Sequence, residues 1–366
     1  MNTLQSLDEL MPLMHRHVGI CVSIYMPTAR KGMETQQNQI RYKNMLRQTE
    51  ERLAGSDLRP SEVKEFLAPA QDLISDELFW RNQKDGLALF LSQDSFNYFK
   101  IPQSFEELVV VSERFHFKPL IGFLSNDVDF YILAVSQNNI RLFECSRYQK
   151  KEVQLAGIPL SLEEALNLDD FEKRLQLHTG SEDTKALVLK FFQQIERGLR
   201  EHFRKKGALL VFAGVEYLFP IYREANTYPY LLENGIFGNP ETLTADELHD
   251  QAWSFIEPTA QEKRESAIGR YHQNAGTGLT SGELKEIVRS SYHGRVAILF
   301  VPVGVQQWGN FNRSSNEVIL TGNADASAED LLDFAAIQTL LNGGVVYTLA
   351  PEEIPGEELV AAIFRY

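Results

Sequence analysis

The stretch that decides the fold is the end of the chain, Ser327 to Tyr366, which reads SAEDLLDFAAIQTLLNGGVVYTLAPEEIPGEELVAAIFRY. Ser327, with Asp330 three residues later, predicts a helix N-terminus resembling a capping box. Asn-Gly-Gly at 342–344 is typical of a left-handed helix stop and is followed by a strand pattern. Residues 359–364 are almost wholly apolar, which indicates a final strand buried on both faces. The sequence therefore predicts a compact α/β module here.

The composition limits the class of protein. The 366 residues suffice for two or three domains, and 43% hydrophobic residues provide a large core. The net charge of −14 argues against nucleic-acid binding through the overall field, but not against a local basic face. Cys21 and Cys145 lie in apolar, strand-like runs, which favours a reduced, cytoplasmic protein with two buried thiols. We expect no secretory signal and no membrane span.

The order of helical and strand patterns predicts three mixed α/β domains, at residues 1–118, 119–257 and 258–366. In the middle domain, the neighbouring Asn residues at 138 and 139 predict a hairpin, and a helix is expected from Ser181 to Lys206. The helical pattern breaks at Ser254–Thr259, which gives the second boundary. In the last domain, the polar segment 307–323 predicts an exposed hairpin or loop.

Three segments occur in a fixed order along the chain. They are Ser23–Pro27 followed by the helix at 38–44, FHFKPLIGF at 115–123 with the hairpin FYILAVSQNNIRLFE, and Gly294–Leu299 with the later Gly-Gly and the AAIFRY ending. In this order they resemble the class-I peptide-chain release factors of archaea and eukaryotes and their relative Pelota. The closer resemblance is to the bacterial branch of that family, and it spans essentially the whole chain.

The resemblance implies three α/β domains with different roles. In release factors the first faces the decoding centre of the ribosome. The second has an RNase-H-like topology and carries the loop that enters the peptidyl-transferase centre. The third resembles kink-turn-binding ribosomal proteins and docks partner proteins. These implied domains agree with the boundaries drawn from the patterns above.

The sequence departs from the family where release factors do their chemistry. Peptide release needs Gly-Gly-Gln, but the corresponding place reads Gly-Ser-Glu at 180–182. The only Gly-Gly pair, at 343–344, precedes Val345 and is better explained as a helix stop. The codon-reading Tyr-x-Cys-x-x-x-Phe keeps only Phe115, and the Asn-Ile-Lys-Ser loop has no counterpart. We therefore reject codon-directed peptide release and lean towards a protein that is not an enzyme.

Two basic clusters are candidate contacts for RNA phosphate. Alternatively, the first is a solvated helix face and the second complements a helix dipole. The first consists of Arg30, Lys31, Arg41, Lys43 and Arg47, and the second of Arg197, Arg200, Arg204, Lys205 and Lys206.

Aromatic and acidic residues give weaker candidates. If Trp308 and Phe311 face solvent, they form a protein-binding patch; otherwise they fold back onto the core. Asp127 with Asp129 suggests the carboxylates of an RNase-H nuclease, although Asp is common in turns. His178 with Glu182 and Asp183 suggests a hydrolytic or metal site, although the favoured explanation is structural, since acidic residues suit the first turn of a helix. No metal or cofactor is predicted.

The leading hypothesis is a translation-associated factor shaped like a release factor, without peptide-release chemistry. Its partners would be the ribosome or structured RNA, with a possible protein partner at the C-terminal domain, and its role would lie in ribosome rescue or dormancy. One alternative is a metal-dependent hydrolase or nuclease on the middle domain. Another is an adaptor whose acidic surface binds a basic protein.

Overall fold

The computed structural model describes residues 4, 9–15, 19–32, 34–55, 58–125, 128–136, 139–155, 182–203, 207–322 and 328–366. The chain forms two compact units, residues 1–126 with 264–366, and residues 127–263. Both combine helices with sheets, so the predicted mixed α/β class is confirmed. Among the described residues, no helix is both long and apolar enough to cross a membrane.

The N-terminal part of the first unit is a four-stranded antiparallel sheet in the order β3-β2-β1-β4. Its elements are α1 (Met11–Met14), β1 (Cys21–Pro27), α2 (Thr35–Leu53), α3 (Pro60–Asp72), α4 (Glu77–Arg81), β2 (Gly86–Ser92), β3 (Ser95–Ile101), β4 (Leu108–Ser112) and α5 (Lys118–Ser125). Alternate residues of β1 face opposite sides of the sheet. Val22 and Ile24 pack under α2 and α3, whereas Tyr25 contacts Phe90 and Phe105.

The C-terminal part contains a sheet in the order β10-β16-β11-β15 and a smaller one in the order β13-β12-β14. Its elements are β10 (Thr280–Ser281), α9 (Leu284–Tyr292), β11 (Val296–Pro302), β12 (Trp308–Asn312), β13 (Glu317–Leu320), β14 (Glu329–Asp330), α10 (Leu331–Leu341), β15 (Val345–Leu349) and β16 (Ala361–Phe364). The predicted hairpin at 307–323 is confirmed by the antiparallel pairing of β12 with β13.

The final strand is confirmed and lies inside its sheet. All four residues of β16 are buried, and the strand pairs with β10 on one side and β11 on the other. The helix before it begins one turn later than predicted. Its N-cap is Asp330, whose side chain accepts a hydrogen bond from the Leu332 backbone N–H at 3.1 Å, while Ser327 lies outside the described residues. Gly343 has a φ of +70°, as expected for the stop.

The second unit is one five-stranded sheet in the order β7-β6-β5-β8-β9. Its elements are β5 (Phe130–Val135), β6 (Ile140–Cys145), β7 (Lys150–Val153), α6 (Glu182–Leu199), β8 (Leu209–Gly214), α7 (Leu218–Ala225), β9 (Leu231–Phe237) and most of α8 (Ala245–Gln273), whose last residues belong to the first unit. The first three strands form an antiparallel meander that contains the predicted hairpin, and the last two are parallel to β5. This arrangement is the RNase-H topology that the resemblance implied.

Two further helix boundaries differ from prediction. Helix α6 ends at Leu199, and Phe203 leaves the helix to stack on Tyr228 with ring centroids 4.3 Å apart. Helix α8 continues without interruption across Ser254–Thr259, where a break was predicted, and contains Pro258. A proline there costs about 3 kcal/mol. The fully buried Leu248, Ala252 and Ile256 offset that cost because they hold the helix against the sheet.

The three-domain division stays a prediction. Its first boundary coincides with the start of α5, whose helix packs on β15 and α10 of the C-terminal part. A Cβ at Gly122 would lie 2.9 Å from the Thr348 hydroxyl, which shows how closely α5 approaches β15. Its second boundary falls within α8.

Deleting residues 361–366 removes β16 from the interior of its sheet. We expect this truncation to lower the free energy of unfolding by more than about 4 kcal/mol, because Ile363 and Phe364 leave the core and two strands lose their pairing. Deleting Tyr366 alone is the control, since 69% of its surface is exposed. Urea unfolding of both variants measures the difference, and equal stability would contradict the buried-strand assignment.

Candidate functional site

The predicted basic cluster near the N-terminus is largely neutralised by carboxylates. Arg30 forms a two-pronged ion pair with Asp85. Arg41 donates to Glu107 at 2.7 Å, and Arg47 lies 3.9 Å from the Glu51 carboxylate. Lys31 and Lys43 are exposed. These two lysines are therefore the strongest remaining candidates for phosphate contacts in this cluster.

The second basic cluster is only partly described. Arg197 and Arg200 are exposed at the end of α6, and an Arg200 guanidinium N–H donates to the Thr227 hydroxyl at 3.2 Å. Arg204, Lys205 and Lys206 lie outside the described residues. The structure thus places two of the five predicted cations on one exposed helix end.

The predicted aromatic patch in the C-terminal part is wrong for Phe311. Its side chain is only 9% exposed and packs against Tyr292 and Phe334, with ring centroids 5.2 and 5.4 Å away. Trp308 is half-buried, and its residue pairs with Asp330 of β14. The physical reason is that β12 is the central strand of its small sheet and lies against α10, so its aromatic side chains have a core to enter.

The acidic residues give no support for a metal centre in the described part of the chain. Asp129 is half-buried, and no group of three or more His, Cys, Asp or Glu side chains there is arranged to hold an ion. Asp127 and His178 lie outside the described residues, as do the side chains at 182–183.

The only Gly-Gly pair has a structural explanation. Gly343 takes the left-handed conformation that ends α10. A Cβ on Gly344 would lie 2.6 Å from the Thr339 methyl group and 2.9 Å from the Val296 carbonyl oxygen. The pair is therefore required for the turn between α10 and β15, and it is no catalytic loop.

Sequence reasoning missed a buried charged cluster between β4 and α10. The Lys118 ammonium lies 2.6 Å from the Asp330 carboxylate, and the two side chains are 4% and 0% exposed. Lys118 also donates to the Val305 carbonyl oxygen. The second Asp330 oxygen accepts from the Gln307 backbone N–H at 3.0 Å and from Leu332. Both ions therefore have the additional partners that a buried pair needs.

Asp333 extends this buried cluster to the start of α5. Its carboxylate accepts from the backbone N–H groups of Phe117, at 2.7 Å, and Lys118. These donors are the residue just before α5 and the first residue of α5, at the end of the helix where N–H groups have no partner within it. Burial, and then the charge of Asp330, raise the pKa of Asp333 well above its usual range.

His116 lies beside both carboxylates. Its Nδ1 is 3.8 Å from Asp330 and 3.7 Å from Asp333, and its side chain is 2% exposed. Burial lowers the pKa of His116 to about 4, because desolvation outweighs the opposing charge of Asp330. His116 is therefore neutral at physiological pH.

One sequence signal pointed to this cluster. Asp330 and Asp333 are three residues apart, at the start of a helix whose other residues are mostly apolar and buried. A carboxylate on such a face predicts a buried partner. Lys118 was not recognised as that partner, because it lies next to Phe115 and Phe117 in a run that suggested only core packing.

One family model matches the middle of the chain. Residues 129–295 match the model of bacterial archaeo-eukaryotic release factor family 3. The predicted resemblance to the bacterial branch of the release factors is confirmed. The match to family 3 covers the whole five-stranded sheet and ends just before β11. No curated protein matches the sequence.

Solved release-factor and Pelota structures are distantly similar. The archaeal translation termination factor aRF1 is 16% identical, with 98% of this chain and 97% of that one covered and a TM-score of 0.26. Dom34 of S. cerevisiae is 10% identical, with 77% and 79% covered and a TM-score of 0.37. Archaeal Pelota, in a model of its ribosome-bound form with ABCE1, is 13% identical, with 100% and 95% covered and a TM-score of 0.36. At these values the likenesses carry no functional argument.

Replacing Asp333 tests its role as acceptor for the start of α5. We expect Asp333→Ala to lower the free energy of unfolding by about 2–4 kcal/mol, because two buried N–H groups lose their acceptor. Asp333→Asn keeps an acceptor oxygen and should cost less than half as much. Equal losses in chemical unfolding would show that the hydrogen bonds to α5 are not the stabilising feature.

The lowered pKa of His116 predicts a loss of stability in acid. The unfolded chain takes up a proton near pH 6.5 and the folded chain only near pH 4, so this residue's contribution is complete above pH 6.5 and disappears as the pH falls towards 4. The loss amounts to about 3 kcal/mol. Unfolding His116→Phe and wild type between pH 4 and 7.5 should show the difference, with His272→Gln, at an exposed position, as control. Parallel pH profiles for wild type and His116→Phe would contradict the burial argument.

Proposed function

We propose that this protein is a cytoplasmic, translation-associated factor that binds the ribosome or structured RNA and does not hydrolyse peptidyl-tRNA. The observation that carries the proposal is the match to the bacterial release-factor family in a sequence without Gly-Gly-Gln. The single Gly-Gly pair ends a helix, so it supplies no substitute for the missing loop. We place its role in ribosome rescue or dormancy, where occupation of a ribosome does not require peptide release.

The distribution of charge determines which residues could attract RNA. The chain carries a net charge of −14, so its overall field repels RNA. Attraction must then come from local cations, and Lys31, Lys43, Arg197 and Arg200 are exposed. A few phosphate contacts give modest affinity that falls steeply with salt. We therefore expect reversible, salt-sensitive association with the ribosome.

The alternatives gain no specific support from the described residues. A metal-dependent nuclease needs converging carboxylates, and no such group is found in the part of the chain described. The adaptor that binds a basic protein through its acidic surface rests on the net charge of −14 alone. The aromatic residue Phe311 adds nothing to that surface, because it is buried.

Co-sedimentation of the purified protein with 70S ribosomes at increasing salt tests the proposal. We expect binding that weakens linearly on a log–log plot of affinity against salt concentration. The double variant Lys31→Gln/Lys43→Gln should reduce the magnitude of that slope by about 2, since each lost phosphate contact removes about one unit. A parallel assay on ribosomes carrying nascent chains should show no peptide release.

The matched control is Lys64→Gln/Lys263→Gln, which removes the same charge from two other exposed positions and should leave the slope unchanged. Absence of the native protein from ribosomal fractions of both growing and starved cells would overturn ribosome binding. Release of peptide would overturn the non-catalytic assignment.

A further inference from the structure

A cleft of about 310 Å³ opens beside the buried charged cluster, within the first compact unit. It is lined by Glu113, Arg114, Asn310, Phe311, Arg313, Ala328 and Glu329. Its size falls at the lower end of the range for small-molecule sites. None of these residues except Phe311 belongs to the candidates discussed above. The cleft is therefore a separate feature of the molecule.

Two guanidinium groups line the cleft, each beside an aromatic ring. Arg114 lies 5.1 Å from the ring centre of Phe334, and its side chain is 13% exposed. Arg313 lies 6.0 Å from the ring centre of Tyr292. Stacking restricts the orientation of a guanidinium while leaving its N–H donors along the edge. Such donors match the oxygens of a phosphate group, which arginine binds in a bidentate manner.

Two carboxylates, Glu113 and Glu329, line the cleft with these guanidinium groups. Glu329 lies 3.7 Å from Arg114. Burial raises the pKa of the Glu329 carboxyl to about 7; Arg313 opposes the shift, while Glu113 and Asp330 reinforce it. Burial thus favours the neutral form of Glu329. When Glu329 is protonated, the two arginines exceed the one remaining carboxylate of the cleft, Glu113, whereas the whole chain is strongly acidic.

We propose that this cleft binds the phosphate group of a small organic phosphate, with the guanidiniums of Arg114 and Arg313 as the donors. A bound dianion faces Glu329, so binding favours the protonated form of that carboxyl. Phosphate binding is thereby coupled to proton uptake by Glu329. The chemistry is shared by free phosphate, sugar phosphates and nucleotides, and the volume of the cleft limits the ligand to about the size of a nucleoside monophosphate.

Isothermal titration calorimetry of the full chain tests the site with inorganic phosphate, AMP and sulfate as probes. We expect saturable binding of phosphate, and tighter binding of AMP if the cleft takes a nucleotide or equal binding if it takes only the phosphate group. Arg313→Gln should weaken binding roughly tenfold or more, because it removes a charge-assisted donor. Arg81→Gln is the control, since its side chain is 73% exposed on α4 and it lines no part of the cleft.

The pH arm uses sulfate, because a phosphate monoester itself titrates near pH 6. Sulfate affinity of the wild type should fall at least about threefold from pH 6 to pH 8 as Glu329 ionises. Glu329→Gln should abolish that dependence and bind at least as tightly as wild type at pH 8. Melting curves confirm that each variant is folded.

Three results would overturn the proposal. They are no saturable binding of any probe, equal affinity in the folded Arg313→Gln variant, and weaker sulfate binding by folded Glu329→Gln at pH 8, which would show that this carboxylate does not oppose the anion. Ribosome binding by the same variants is measured separately, and the phosphate site does not depend on its outcome.

Discussion

The buried ion pair between Lys118 and Asp330 is the interaction on which the first compact unit depends. Removing both charges from water costs several kcal/mol per ion, and the attraction between them offsets that only when their other donors and acceptors are satisfied. Here they are, through Val305, Gln307 and Leu332. The main effect of the ion pair is to position α5 relative to α10, and its net contribution to stability is smaller. It fixes the first residue of α5 against the N-cap of α10, and with it the approach of Gly122 to β15.

The functional features follow from that arrangement. Glu329 immediately precedes Asp330, and Arg114 lies four residues before Lys118, so each partner of the ion pair is close in the chain to a residue that lines the phosphate cleft. The Gly-Gly pair ends α10, the helix whose N-cap is Asp330 of the ion pair. The Gly-Gly-Gln motif is absent from the sequence. The fold contains a unit of RNase-H-like topology within the segment that matches the model of bacterial archaeo-eukaryotic release factor family 3, together with a few exposed cations and a separate charged cleft.

Local patterns were sufficient for much of the fold. The apolar run before Arg365 predicted a buried final strand, and the Asn-Gly-Gly stop predicted the end of α10, because both depend on neighbouring residues alone. The pattern failed at Pro258, where burial of α8 outweighs a local signal. It also failed for Phe311, whose exposure depends on a helix that follows it in the chain. For the candidate sites, the sequence was sufficient to identify the basic residues. It did not predict that the carboxylates of Asp85 and Glu107 neutralise two of them. The partners in those ion pairs are far apart in the sequence, so no periodic pattern of residues predicts them.

The most direct test of the central claim is a double-mutant cycle on Lys118→Met and Asp330→Asn, measured by urea unfolding at pH 7. Asn keeps the acceptor oxygen that caps α10, so the cycle isolates the interaction with the ammonium group. If the pair is the constraint that joins α5 to α10, the coupling energy should be about 2–3 kcal/mol. Additive effects, with a coupling below about 0.5 kcal/mol, would contradict the account.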